Sequence, residues 1–208
     1  MLKKNKEIVD YLLKERACND KIVEIIGRLD RAAFLPKASL HLEMSLKPVP
    51  IGYGQTMSAP FIVASMTELL ELSGTEKVLE IGSGCAYQTA VLIEMGVDLF
   101  SIEYIEGLAE MGRKNLENLG YKPKIKVADG YFGWPEEAPF DRIIIAACLP
   151  KIPELLIGQL KINGLMLMPL KKNEHEYMVK VRKISKEDYS IEWLYGVRFV
   201  PFVGEINK

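Results

Sequence analysis

From Lys77 onward the 208-residue chain alternates short, mainly apolar runs with helical patterns, which predicts an α/β fold built on a doubly wound, mostly parallel sheet. Two further observations complete the outline. Ahead of the alternation the apolar residues recur with helical spacing only, predicting an N-terminal helical extension. After it, two stretches alternate apolar and polar residues, predicting a C-terminal antiparallel hairpin with one wet face.

In chain order, a first amphipathic helix is expected around Glu7 to Glu15. A second begins at Asn19-Asp20, both good N-cap residues, and runs through Ile22, Val23, Ile25, Ile26 and Leu29. Pro36, Pro48 and Pro50 break the pattern, and a loop carrying Gly52 and Gly54 leads to a helix that begins at Ser58 and holds Ile62, Val63, Met66, Leu69 and Leu70. Strands are expected at Val78 to Ile81, Leu99 to Ile102, Ile125 to Ala128 and Ile143 to Ala147, with helices at Ala90 to Glu94 and Gly107 to Leu119 between them. A helix ending at Leu160 follows Pro150-Lys151-Ile152-Pro153, and Asn163-Gly164 precedes a further strand, Leu165 to Met168. The hairpin takes Tyr177 to Ile184 and part of Ile191 to Phe199, with Lys186-Glu187-Asp188 as its turn. No repeat or low-complexity tract divides the chain, so it reads as one domain over 1–208: extension and loop to 72, core from 73 to 170, hairpin from 171.

Lys and Arg number 27 against 28 Asp and Glu, a net charge of -1 that gives no electrostatic argument for a nucleic-acid or membrane partner. Cys18, Cys85 and Cys148 are sparse, odd in number and without CxxC spacing. They point to reduced thiols in a cytoplasmic protein, with neither a disulfide framework nor a metal site. Two histidines outside any ligand spacing agree with the absence of metal. No run approaches the roughly twenty apolar residues that span a bilayer.

The chemistry concentrates in a few places. Gly82-Ser83-Gly84 follows a strand and precedes a helix, where missing side chains let the backbone approach a nucleoside. Glu103 ends the next strand about twenty residues on, placed to accept from two ribose hydroxyls. Asp129-Gly130 ends the third, with a carboxylate for an adenine amino group and a glycine that leaves room for the ring. Each has a plainer reading, as a tight turn, a solvated acid or an Asp-Gly turn, but the three together follow the crevice rule for open parallel sheets. Dinucleotide oxidoreductases and methyltransferases share this layout, and the sheet does not choose between them.

The stretch Gly52-Tyr53-Gly54-Gln55-Thr56-Met57-Ser58-Ala59-Pro60 sets glycines and polar residues just before a helix start, a place suited to hold a carboxylate. Ser58 there is equally a good N-cap. Together with Val78-Leu79-Glu80-Ile81-Gly82-Ser83-Gly84 and Asp129-Gly130, this stretch resembles the protein-L-isoaspartate O-methyltransferases. The resemblance extends from the helix before Phe34-Leu35-Pro36 to Val200-Pro201. It implies a Rossmann-like fold of the S-adenosylmethionine-dependent methyltransferase type, with S-adenosyl-L-methionine as cofactor held by Glu80, Gly82, Ser83, Gly84, Glu103, Asp129 and Gly130. It further implies Ser58 as the catalytic residue, and a substrate site formed by Gln55, Thr56, Ser58, Val197, Arg198 and Phe199. Trp134 in Gly133-Trp134-Pro135 also matches, as packing near the adenosine. The implied partners are isoaspartyl-containing peptides and proteins, met by a monomer that repairs them. This chain departs from the family where it carries Ala86 near the usual third glycine, and where His41 to Pro48 replaces an aromatic residue and an acid. Two rivals stay open: a methyltransferase of the same fold with another acceptor, and a fold relative without activity.

Such a reaction needs no general base. A carboxyl group of pKa about 4 is already ionised at neutral pH, so placement of the reactants carries the catalysis. That agrees with the lack of a His/Asp or Cys/His set in the motifs.

Overall fold

The computed structural model describes residues 5–207. Helices α1 (Lys6–Glu15) and α2 (Asp20–Arg28) form the extension, each burying one apolar side. Asn19 caps α2 by accepting from the Ile22 amide at 3.2 Å, and its own nitrogens hold Glu68 Oε2 at 2.8 and 2.7 Å. Asn5, 2% exposed, donates to the carbonyls of Ile26 and Leu29, so α1 and α2 are tied end to end.

The next segment corrects one expectation. The glycine-rich loop is a small antiparallel hairpin, β1 (Val49–Gly52) and β2 (Gln55–Met57), and the helix after it, α3, covers Pro60–Leu69. Tyr53 and Gly54 turn the hairpin with φ of +53° and +72°, the double left-handed pattern whose twist suits a two-residue loop.

The main sheet has seven strands: β3 (Lys77–Ile81), β4 (Asp98–Glu103), β5 (Ile125–Val127), β6 (Phe140–Ile145), β7 (Leu160–Lys172), β8 (His175–Lys183) and β9 (Tyr189–Val197). Their spatial order is β5-β4-β3-β6-β7-β8-β9, parallel through β7 and antiparallel from there. Helices α4 (Tyr87–Met95), α5 (Glu106–Asn118) and α6 (Glu154–Gly158) make the crossovers. The sheet is doubly wound because the chain leaves β3 toward β4 and β5, then returns to β3's other side as β6. Both faces are covered. Leu79, Ile81, Phe100, Ile102, Ile143 and Ile145 point into one core with α6 and Phe202; Val78, Leu99 and Ile144 point into another with Met66, Leu70 and Leu92. Strands wet on neither face read as mainly apolar runs, which is why they were legible.

Two strands are longer than their apolar runs. β6 starts at Phe140, whose amide donates to the Gln159 carbonyl at 2.9 Å. β7 starts at Leu160, and Asn163-Gly164 sits inside it as a bulge: Asn163 has φ +67°, and the register with β6 slips between Phe140 and Arg142. The hairpin β8–β9 pairs onto β7 and extends the same sheet. Lys183, 7% exposed, closes the end of α6 by donating to the carbonyls of Ile157, Gly158 and Leu160 at 2.8, 3.2 and 2.8 Å. Among the described residues no helix is long and apolar enough to cross a membrane.

The loop into β3 is folded around one acid. Glu76 accepts from the Ser73 amide and hydroxyl at 2.9 and 2.6 Å and from the Gly74 and Thr75 amides at 2.9 and 3.1 Å. Burial opposes its ionisation, but the hydrogen bonds from Ser73 and Gly74 outweigh it and hold the carboxyl at about 2, below its ordinary 4.5. A depressed pKa contributes stability above the unfolded value and loses it as the pH falls through the folded one. Glu76→Ala is therefore expected to lower unfolding free energy by roughly 1–3 kcal/mol at pH 7, and the deficit should shrink between pH 4.5 and 2. Urea titrations of both proteins across that range check it.

Candidate active site

The site grows from the carboxyl end of β3, the strand at which the winding reverses. Gly82 and Gly84 turn the chain with φ of +90° and +54°. Glu103, 5% exposed at the end of β4, accepts from the Gly84 amide at 2.8 Å through one oxygen and from the Ile105 amide at 2.9 Å through the other. One carboxylate thus fastens the glycine turn to the junction of β4 and α5. Each oxygen retains a lone pair for a further donor.

Between this junction and the β1–β2 hairpin lies an open cleft of about 860 Å³, counting the space it shares with solvent. Gly82, Ser83, Gly84 and Glu103 form its floor; Gln55, Thr56, Met57 and Ser58 form one wall; Tyr104, Ile105 and Leu108 form the wall opposite. Gly130 and the segment Val200–Val203 close an end. Ser83 Oγ is buried without a hydrogen-bond partner, a polar atom left for a ligand to satisfy. Ser58 is half-buried and does not cap α3: the N-cap is Ala59, and no side chain caps that helix. The capping alternative for Ser58 is therefore set aside, leaving its hydroxyl on the cleft wall.

A model of the protein-L-isoaspartate(D-aspartate) O-methyltransferase family matches residues 3–207. The chain belongs to that family. It is 43% identical to the protein-L-isoaspartate O-methyltransferase of Dictyoglomus thermophilum over 97% of this chain and 92% of that protein. With the enzyme of the same name from Syntrophus aciditrophicus it shares 42% identity over 98% and 95%. A solved protein-L-isoaspartate O-methyltransferase superposes with a TM-score of 0.86 at 25% identity, over 96% of this chain and 66% of the other. The fold is also that of a Plasmodium falciparum protein assigned as a beta-aspartate methyltransferase and solved with S-adenosyl-L-homocysteine: TM-score 0.84, 22% identity, 96% and 98% covered.

Not every residue expected from the family stands in the cleft. Glu80 is fully buried behind the turn, where Oε2 accepts from the hydroxyls of Thr89 at 2.7 Å and Ser101 at 2.8 Å, while Oε1 has no partner. It braces β3 to α4 and β4 and does not line the cleft. Asp129 stands one residue behind the wall: Oδ1 accepts from the Tyr131 amide at 2.9 Å and Oδ2 from the Glu205 amide at 2.8 Å, so it ties the C-terminal segment to the end of β5. Gly130 is in the wall, and a Cβ there would lie 2.3 Å from Ile81 Cγ2. Val197, Arg198 and Phe199 also fall outside the lining; the adjoining Val200–Val203 enters it instead, held by Cys148 through paired backbone bonds at 2.8 and 2.9 Å. Trp134 packs edge-on to Phe100 at 5.5 Å and is not part of the lining.

Several residues carried no readable signal. Tyr104, Ile105 and Leu108 line the cleft only because β4 delivers α5 there. Arg31, 1% exposed, lies over the Tyr87 ring at 5.4 Å and donates to the Ser45 carbonyl at 3.1 Å; burial lowers its pKa. Tyr87 lines the cleft, so a guanidinium stands directly behind that wall. Cys85, also in the lining, is pushed up to about 12 by burial, which makes it a poor nucleophile.

Glu80 supplies a test of the brace. Burial, with the negative charge of Glu103 in the same direction, raises its pKa from 4.5 to about 7 against the hydroxyl bonds of Thr89 and Ser101. A raised folded pKa means the folded state holds the proton longer, so this contribution is full below pH 4.5 and declines as the pH rises through 7. Glu80→Gln copies the protonated form. Its melting temperature is expected to lose that part of the wild-type decline between pH 4.5 and 8, as scanning calorimetry at several pH values will show.

Proposed function

We propose that this chain transfers a methyl group from S-adenosylmethionine to the side-chain carboxylate of L-isoaspartyl residues in damaged peptides and proteins. The observation that carries the reading is that one cleft is lined both by Gln55 to Ser58 and by the Glu103-fastened glycine turn. The turn accommodates a nucleoside without side-chain obstruction, the open lone pairs of Glu103 suit vicinal hydroxyls, and the orphaned Ser83 Oγ suits a polar group of the same ligand. Those residues would hold S-adenosylmethionine, which when bound supplies a methyl group activated by a sulfonium.

The chain's own part is orientation. Ser58 faces the cleft without a capping duty and can donate to an acceptor carboxylate. The acceptor, ionised above a pKa of about 4, needs no base, and no residue of the lining is required to remove a proton. Apolar Ile51, Met57, Ile105, Leu108 and Phe202 keep water from the reacting groups. The substrate peptide reaches Ser58 beside the Val200–Val203 strap, and we read Val197 to Phe199 as its continuation along the surface. The protein works in this reading as a cytoplasmic monomer, without a nucleic-acid or membrane partner.

Methyl transfer from labelled S-adenosylmethionine to two peptides differing only in isoaspartate or aspartate tests the reading. Transfer confined to the isoaspartyl peptide is expected; cofactor binding with transfer to neither would give the site another acceptor. Ser58→Ala should lower kcat by about ten- to a hundredfold with cofactor affinity kept, whereas Glu103→Gln should weaken cofactor binding by roughly tenfold or more.

A further inference from the structure

The tip of the β1–β2 hairpin carries a residue in an unexpected place. Tyr53 occupies the left-handed region at φ +53°, a conformation that costs a bulky side chain on the order of 1–2 kcal/mol, and its side chain is 65% exposed. The two-residue turn requires that φ, but neither the turn nor burial explains why a tyrosine stands there. The ring extends from the hairpin tip to the first turn of α5, which its hydroxyl meets: a Cβ on Gly107 would lie 2.1 Å from Tyr53 Oη and 2.7 Å from Cζ. Gly107 has no positive φ to account for it, and glycine weakens a helix relative to alanine by up to about 1 kcal/mol. What the missing side chain provides is the seat for Tyr53.

The two residues lie outside the lining but adjoin two of its segments in the chain. Tyr53 joins Ile51 to Gln55–Ser58, and Gly107 stands between Ile105 and Leu108. We propose that the Tyr53–Gly107 contact is a latch that closes the hairpin over the cleft, making Tyr53 a positioning residue for Ser58 and for the bound nucleoside. The part concerning the nucleoside rests on the reading given above; the latch itself does not. Opening it clears the mouth for cofactor exchange, and closing it brings the Ser58 wall to its working distance.

Four proteins test this: wild type, Tyr53→Ala, Gly107→Ala and the double variant. Gly107→Ala strengthens α5 while its methyl evicts the ring, so a loosened hairpin cannot be blamed on a weaker helix. In ligand-free protein, hydrogen exchange of the amides from 51 to 57 should quicken by about tenfold in each single variant and no further in the double, since both changes break one contact. With ligand, S-adenosylhomocysteine should leave roughly tenfold faster from all three variants, in Gly107→Ala without any fall in the ligand-free melting temperature. Unchanged exchange in either single variant, or additive effects in the double, overturns the latch. Quickened exchange with unaltered ligand release overturns its positioning role. A wild type that binds no S-adenosylhomocysteine overturns the cofactor reading instead, and the exchange measurements still decide the latch.

Discussion

The geometry of the cleft depends on where one carboxylate puts its hydrogen bonds. Glu103 takes the Gly84 amide on one oxygen and the Ile105 amide on the other, at 2.8 and 2.9 Å, so the turns that leave β3 and β4 are held by a single side chain just beyond the last backbone pairing of those strands. Without it the Gly84 amide would be a backbone donor in a turn too tight to pair elsewhere. The same bonds fix the rotamer of Glu103 before any ligand arrives, so the edge it presents to the cleft is already oriented. Binding then loses less side-chain entropy than it would against a free glutamate.

Three glutamates around β3 show how environment divides one residue type into three functions. Glu76 is ringed by donors and stays charged to about pH 2; Glu80 is sealed behind the turn with two hydroxyl donors and one bare oxygen, and is raised to about 7; Glu103 opens onto the cleft. The charge of Glu103 is among the causes that raise Glu80. While the inner acid holds its proton the outer one has no like charge behind it, a condition that fades as the pH rises through about 7. The brace and the ligand-facing acid are thereby compatible within a few side-chain lengths.

The parts of this structure readable from sequence are those governed by local pattern. β3, β4 and β6 announced themselves as apolar runs, and Asn19 announced α2 as its cap. The β1–β2 hairpin was read as a loop because its strands span only four and three residues, although Val49, Ile51 and Met57 all point inward. Glu80 was assigned to the ligand because it lies in the glycine motif, yet strand alternation sets it with Val78 on the face covered by helices. The floor of the cleft was legible since turn chemistry is local. Its far wall was not, because Tyr104, Ile105, Leu108 and Val200–Val203 meet it only through the winding of the sheet and the return of the C-terminal segment.

Strain marks both sides of the cleft, and packing accounts for its persistence in each case. Ala86, which follows the glycine turn, stands at φ +70° and is fully buried. Its methyl reaches α5, where a Cβ on Gly112 would come within 3.2 Å of it and within 3.1 Å of the Gly84 carbonyl. Glycine at 86 would relax the backbone and leave that space empty; alanine keeps the strain and fills it. These two left-handed side chains each face a glycine of α5, Ala86 opposite Gly112 and Tyr53 opposite Gly107. Helix α5 therefore registers the glycine turn with one bare position and the hairpin with another, which makes a single rigid element the common reference for the floor and the movable wall.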